Sequence, residues 1–487
     1  MLKKLLIIAL YVVCIVSCTQ EIIIYNPVDD DKEVTYTEGN LSVYLEGMGT
    51  VTRSTWIYDD YFSSSDILHD DTKHERGFFN RLLVSFDSNF LLEYYSRPTY
   101  GVNDSFTPPA IDNLTSTNSE YTGVPLGLNA EAPLTTGAHY FYVLCNLPQE
   151  VHAYFTEVFN NGQGTFTKDQ LEQTVLKYPL DVLAQKFDGW DGPNQQHNTQ
   201  RCMMTNIVSP APDYMASKDQ NFQGQGYPST NNVKSHIGKI FAKASLAYIE
   251  ENQKLTNVTY RVVNVPKSVY LMPNIFNKQV ETPHFTIDFQ DRNSYDPNYN
   301  EWFDEKYKLE TDEPDWQKAV VSTSQEKTYV YCMENGNTTP LQGNSTFLLV
   351  RATYHPAEWV NRDGTPGPAS GDNSFWRIKR GGVYTSYYYN EEPDPSEVGS
   401  GTPVRYPEGI TYYPIWLQTD GLYQVRRNGF YKIVLTRVLS AGAPTVDSVI
   451  DPLAPIENTT TRSSLIESGS SNIPEINQCI EWQQAGI

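Results

Sequence analysis

Residues 139–147 read His-Tyr-Phe-Tyr-Val-Leu-Cys-Asn-Leu, an almost unbroken aromatic and aliphatic run. A run this short, apolar at odd and even positions alike, suits a strand buried on both faces. Residues 79–86 have the same character. On the N-terminal side, Leu41-Ser42-Val43-Tyr44-Leu45 alternates with period two, as a half-buried strand does. On the C-terminal side, strand-like runs recur at 260–270, 328–333, 346–354, 375–389, 412–417 and 430–439, separated by Gly, Pro, Asn and Asp. The composition agrees: 34 Tyr against 7 Met, with 30 Gly and 30 Pro, favours pleated surfaces and frequent turns. One segment is expected to be helical, 167–186. Thr167 can cap it, Leu171, Val175, Leu180 and Leu183 fall near helical spacing, and Pro179 should break it. Residues 189–201, rich in Asn, Gln and Gly, read as loop.

The expected fold is mainly β. At 487 residues the chain exceeds one ordinary domain, and two β-rich halves joined near 251–258 suggest two tandem β-sandwich domains with a few helices in the first. The Pro-rich stretch 443–455 then leads into Ser/Thr-rich chain, and no repeat of fixed period is visible. A net charge of −22 with 19% charged residues excludes nucleic acid as a partner, because phosphate recognition needs clustered Lys and Arg.

Met1-Leu2-Lys3-Lys4 followed by the apolar run 5–16 reads as an export signal too short to span a bilayer. It ends Ile15-Val16-Ser17-Cys18, which resembles a bacterial lipobox. The resemblance implies removal of residues 1–17 and lipidation of Cys18, with the lipid as anchor in the cell outer membrane. Thr19, where inner-membrane lipoproteins carry Asp, gives no retention signal. Residues 19–40 read as a solvated tether containing Asp29-Asp30-Asp31. Cys145, Cys202, Cys332 and Cys479 are widely spaced without a CxxC pair, so neither a zinc site nor a redox pair is expected, and a disulfide stays open.

No catalytic pattern stands out. His69 and His74 have no Cys nearby, no HExxH or G-x-S-x-G occurs, and Gly381-Gly382 makes no phosphate loop. Asp288, Asp291, Asn293 and Asp296 lack the EF-hand spacing and read as solvated loop residues. Tyr387-Tyr388-Tyr389 could meet a sugar or a protein, though an ordinary β-face explains them. No enzyme activity, cofactor or metal is expected.

Several ordered segments together resemble the fimbrillins of Bacteroidetes-type fimbriae, most nearly the shaft subunit of the minor (Mfa-type) fimbrium. In the first half these are residues 141–147, Arg201-Cys202-Met203-Met204-Thr205, and the strand-like Ile237-Gly238-Lys239-Ile240-Phe241-Ala242-Lys243-Ala244. In the second half they are Tyr331-Cys332-Met333-Glu334-Asn335, residues 345–352, Tyr412-Tyr413-Pro414-Ile415-Trp416-Leu417, and Val425-Arg426-Arg427-Asn428-Gly429-Phe430-Tyr431. The resemblance implies transthyretin-like sandwiches over 54–254 and 255–455, a lipidated propeptide over 18–53, and a C-terminal extension over 456–487.

It also implies a mechanism. A surface protease cuts after an Arg, the first strand leaves, and a strand from a neighbouring subunit fills the vacated groove, so that main-chain bonds give affinity and alternate side chains fill pockets. Arg53, followed by Ser54, stands where the family is cleaved, and Leu41, Val43 and Leu45 would be the inward residues of the strand removed. The donor would be 473–482, with Ile476, Ile480 and Trp482 on one face. The expected protein is thus a shaft subunit of a cell-surface fimbrium or pilus, supporting adhesion and colonisation. Its partners would be copies of itself, accessory tip and anchor subunits, and a host protein or glycan. A surface glycan-binding lipoprotein of a polysaccharide-uptake system is the alternative; a secreted glycosidase has no positive signal.

Overall fold

The computed structural model describes residues 81–95, 137–184, 203–206, 232–248, 254–276, 302–312, 314–321, 328–336, 340–418, 422–427, 429–438 and 440–456. It also describes the shorter runs 36–37, 40–46, 124–125, 128–131, 134–135, 186–187, 199–200, 209–210, 212–215, 279–283 and 475–481. The chain is mainly β. In the first half the principal strands are β1 (Asn40–Glu46), β2 (Arg81–Phe86), β3 (Leu92–Tyr95), β4 (Gly137–Cys145), β5 (Met204–Asn206) and β6 (Asn232–Lys239). They form one sheet in the order β3-β2-β4-β5-β6-β1, with short strands at 124–125 and 128–131 beyond β1. The run that opened the sequence reading is central: β4 lies between β2 and β5, and residues 141–147 are all buried. Asn206 of β5 ties it further, accepting from the Val143 N–H at 2.7 Å.

Among the described residues, three helices belong to this half. α1 (Gln149–Gly162) was not evident from the sequence, where its aromatics read as part of a β-rich composition. It forms because Val151, Phe155 and Phe159 recur every fourth residue and all bury on one side. The Phe155 and Phe159 rings stack with centroids 5.4 Å apart. The helix expected over 167–186 is instead two short ones, α2 (Lys168–Glu172) and α3 (Leu180–Leu183), separated by a two-residue strand at Val175–Leu176. Thr167 does cap: its Oγ1 accepts from the Gln170 N–H, and the Gln170 side chain accepts from the Thr167 N–H in return. Pro179 marks the start of α3, because its fixed φ and missing N–H suit a helix entry and break a helix interior.

Glu172 at the end of α2 accepts from Tyr142 Oη at 2.5 Å, Ser209 Oγ at 2.6 Å and Lys168 Nζ at 3.0 Å. Burial pushes this carboxyl up, but the two hydroxyls and the ammonium together hold it below its ordinary value. A carboxyl with a lowered folded-state pKa stabilises the protein above the ordinary carboxylate range and loses that contribution as pH falls through the lowered value. Glu172→Gln should therefore flatten the fall in melting temperature between about pH 5 and 3, as measured by thermal denaturation.

The second half contains β7 (Phe241–Tyr248), β8 (Leu255–Val263), β9 (Val330–Met333), β10 (Phe347–Tyr354), β11 (Phe375–Arg380), β12 (Thr402–Tyr406), β13 (Ile410–Trp416), β14 (Phe430–Arg437) and β15 (Glu475–Glu481). One sheet is built on β7-β14-β15, with β9 on the other side of β7; a second runs β8-β10-β13; β11 and β12 pair in a third. Residues 237–244, which read as one strand, are divided. β6 ends at Lys239 in the first sheet, and β7 begins at Phe241 in the other, with buried Ile240 as the crossing point. The passage between sheets thus falls at Ile240, whereas the sequence places the join near 251–258.

The abundance of tyrosine has a structural use. Buried rings keep their hydroxyls satisfied by main-chain carbonyls: Tyr260 on Thr328, Tyr406 on Gly442 and Tyr413 on Ser440, at 2.8, 2.8 and 3.0 Å. A large apolar ring with a reachable polar tip can fill a β interior without stranding a polar atom. Tyr388 and Tyr389 are buried, and only Tyr387 of that triplet is exposed, at 56%. Cys145 and Cys332 are buried, and burial pushes the Cys332 thiol far up.

Candidate strand-exchange site

β1 alternates apolar and polar residues, and its backbone is used on both edges. On one side it runs parallel to β6, with Ser42, Val43, Tyr44, Leu45 and Glu46 opposite Asn232, Val233, Lys234, Ser235 and His236. On the other side it is antiparallel to the short strands, with Leu45 opposite Val124 and Leu41 opposite Leu128. No tight turn joins β1 to either neighbour, since a parallel pair cannot be closed by a hairpin. Its covalent connection to the next strand of the sheet is the stretch 47–80. Arg53 and Ser54 belong to that stretch and lie outside the described residues, as does Cys18.

β15 lies antiparallel on the edge of β14, with Ile476, Gln478 and Ile480 opposite Leu435, Ile433 and Tyr431. Those three β14 residues are all buried. On its other edge β14 runs parallel to β7, with Lys243 opposite Phe430 and Tyr248 opposite Leu435. The segment expected to serve a neighbour therefore has a seat in its own chain, where it closes the edge of β14. Trp482 lies outside the described residues, and so do the His pair and the acidic loop considered above.

The second half also contains a buried ion pair. Glu334 follows β9 and Arg427 lies just before β14; their side chains are 1% and 4% exposed. Arg427 Nε and Nη2 lie 3.0 and 2.6 Å from Glu334 Oε2. Its remaining donors go to carbonyls: Nη1 to Leu271 at 2.8 Å, and Nη2 to Tyr270 at 2.7 Å. The carbonyl-bearing segment also holds the first half. Val269 and Tyr270 pair with Leu176 and Val175, the Leu271 N–H donates to Thr174, and Thr205 Oγ1 of β5 donates to the Leu271 carbonyl. Asn335 and Val425 exchange main-chain bonds beside the ion pair at 3.0 and 2.7 Å. Both motifs around Glu334 and Arg427 carried the family resemblance, but nothing in the sequence marked these two residues as partners. Among the described residues no group of His, Cys, Asp or Glu is arranged to hold a metal ion.

Fold and seats together define a class: a mainly β chain whose first and last described long strands each complete a sheet built from sequence-distant residues. No family model and no curated protein matches the chain. Among solved structures it is similar to a protein assigned to cell adhesion from Parabacteroides distasonis, at 12% identity and TM-score 0.42 over 92% of this chain and 98% of that one. It is also similar to a fimbrilin from Porphyromonas gingivalis, at 12% identity and TM-score 0.40 over 92% and 98%. The tip fimbrial protein Mfa3 from the same organism matches at 12% identity and TM-score 0.37 over 82% of this chain and 96% of that one.

Proposed function

We propose that the chain is a structural shaft subunit of a cell-surface fimbrium, polymerising by protease-triggered donor-strand exchange. The observation that carries this reading is the seat of β1, a strand paired on both edges and joined to the next strand of its sheet only through 47–80. Cleavage at Arg53 would sever that connection and leave β1 held by its pairing with neighbouring strands. Its departure would bare β6 and the 124–131 strands, two edges with unpaired N–H and C=O groups, which is the condition for strand addition. Before cleavage the subunit would be tethered to the outer membrane through lipid on Cys18. Afterwards its partners would be further copies, with tip and anchor subunits at the fibre ends. The segment 473–482, with Ile476, Ile480 and Trp482, is the strand each copy would lend.

The test is the N-terminus of the assembled subunit. Protein sheared from cells should begin at Ser54, and Arg53→Ala should leave the precursor uncut and monomeric. Fibres whose subunits retain residues 41–53 would overturn the reading.

A further inference from the structure

β10 and β13 are antiparallel neighbours, with Thr353 opposite Ile410, and a turn of about 2–5 residues would be enough to join them. Residues 355–409 stand there instead and build a module of their own. β11 pairs with β12 on one edge and with 383–384 on the other, and Val360, Ile378 and Tyr389 form a buried cluster separate from the main core. β8 fixes where the module lies. Leu255 at its start is opposite Tyr354, and Val263 at its end leads to the 269–271 segment that holds the first half. The module therefore sits at the end of the second half remote from the first half, removed from it by the length of β8, about 30 Å.

One face of the module's three-stranded sheet packs inward. Phe375 stacks on Tyr406 with centroids 4.6 Å apart, and Arg377 Nη1 donates to the Ala441 carbonyl at 3.0 Å. Alternation turns Trp376, Ile378 and Tyr389 to the other face. There Trp376 exchanges main-chain bonds with Tyr389 at 2.8 and 2.9 Å on one side and lies opposite Arg405 on the other. Ile378 and Tyr389 are buried, whereas Trp376 is only partly buried and Arg405 is exposed. Tyr387, the most exposed of the module's rings, stands edge-on to the Tyr389 ring at 6.4 Å and so shares this face. Arg405 has no ion pair or side-chain hydrogen bond among the described residues. The carboxylate beside Tyr389 is engaged: the Tyr389 hydroxyl donates to Glu397 Oε2 at 3.2 Å.

We infer that the row Tyr387, Trp376 and Arg405 binds an acidic carbohydrate, with sugar rings on the two aromatic rings and a sugar carboxylate on Arg405. The C–H face of a pyranose carries slight positive charge and suits the negative face of an aromatic ring. An exposed guanidinium pairs with a carboxylate through its planar fork. Size decides against a protein partner. Three side chains, one of them partly buried, suit one or two sugar rings and fall far short of the about 800 Å² that each side of a stable protein interface buries. The ladder between Trp376 and Tyr389 holds the platform in place beforehand, which lowers the ordering cost of binding. The site does not depend on polymerisation. In a fibre it would recur once per copy, and weak binding would gain by avidity.

The test uses the full chain as monomer, passed over oligosaccharides ending in glucuronic or N-acetylneuraminic acid and over neutral ones ending in glucose or galactose, with binding read by surface plasmon resonance. An acid-ended sugar should bind more tightly than the neutral ones. Tyr387→Ala and Arg405→Gln should each weaken it about tenfold or more without lowering the melting temperature. Tyr154→Ala removes a comparably exposed ring from α1, 43% exposed, and should leave binding as it was. Four results would each overturn the inference: no binding to either acid-ended sugar at millimolar concentration, equal binding of acidic and neutral sugars, affinity unchanged by Tyr387→Ala or Arg405→Gln, and displacement by poly-glutamate as effective as by the free acidic sugar. The last would assign the face to an acidic peptide instead. Because monomer is used throughout, none of these results bears on the polymerisation reading.

Discussion

Arg427→Met should cost the protein about 3–5 kcal/mol of folding stability, the largest effect expected of any single side chain here. Glu334 is fully buried, and its carboxylate accepts from the Nε and Nη2 donors of the guanidinium. Removing the guanidinium strands a charge in a low-dielectric interior and leaves the Tyr270 and Leu271 carbonyls without the donors they now share. The loss should be read by chemical denaturation as a lower midpoint. Lysine is not a substitute, because its single ammonium cannot reproduce a planar fork directed at a carboxylate and two carbonyls. Arg427→Lys should therefore fall between wild type and Arg427→Met. The control is the double variant Arg427→Met with Glu334→Gln, which removes the stranded charge and should recover part of the loss. If Arg427→Met shifts stability by less than about 1 kcal/mol, the pair contributes no more than an exposed salt bridge would.

Deleting 473–487 should abolish fibre growth. The truncated subunit keeps β14 and its parallel partner β7, so it retains the sheet and loses the strand on its edge. Under the proposed exchange it also keeps the β1 seat, so after cleavage it would accept a donor and have none to give. Mixed into wild-type subunits it should therefore act as a chain terminator, shortening fibres in proportion to its share of the mixture. Fibre length by electron microscopy checks this, and fibres of normal length from the truncated subunit alone would place the donor elsewhere. Because a bare β14 edge invites non-specific pairing, Ile476→Asp with Ile480→Asp in the intact chain provides a second test. Those substitutions leave the backbone available to pair but remove two apolar side chains, worth roughly 1.5–3 kcal/mol each when buried, from the strand proposed as donor.

The strands were legible where local chemistry alone produces them. Residues 140–145 are aromatic or apolar at every position, as a strand buried on both faces is, and they fall in the Gly137–Cys145 strand, buried throughout 141–145. Thr167 was legible as a cap because capping is decided within three residues. α1 was missed although it carried a signal: Pro148 at its start, then Val151, Phe155 and Phe159 at four-residue spacing. Aromatic residues serve strands and helices equally well when buried, so their period had to be weighed above their identity. The division at Ile240 had no signal, because 237–244 carries no turn residue at the crossing and a change of sheet costs the chain no change of pattern.

By itself the sequence determined where most of the long strands lie, since alternation and apolar runs are properties of neighbouring residues. It also determined that the chain is acidic, and through the resemblance which segments at its two ends to single out. Tertiary structure alone decided who pairs with whom. Glu475–Glu481 pairs with β14, a partner that its period-two alternation, common to many strands, could not single out. Glu334 and Arg427 are 93 residues apart, and neither differs locally from an exposed charge. They become partners because folding buries both, and a buried charge persists only where its opposite is brought to it.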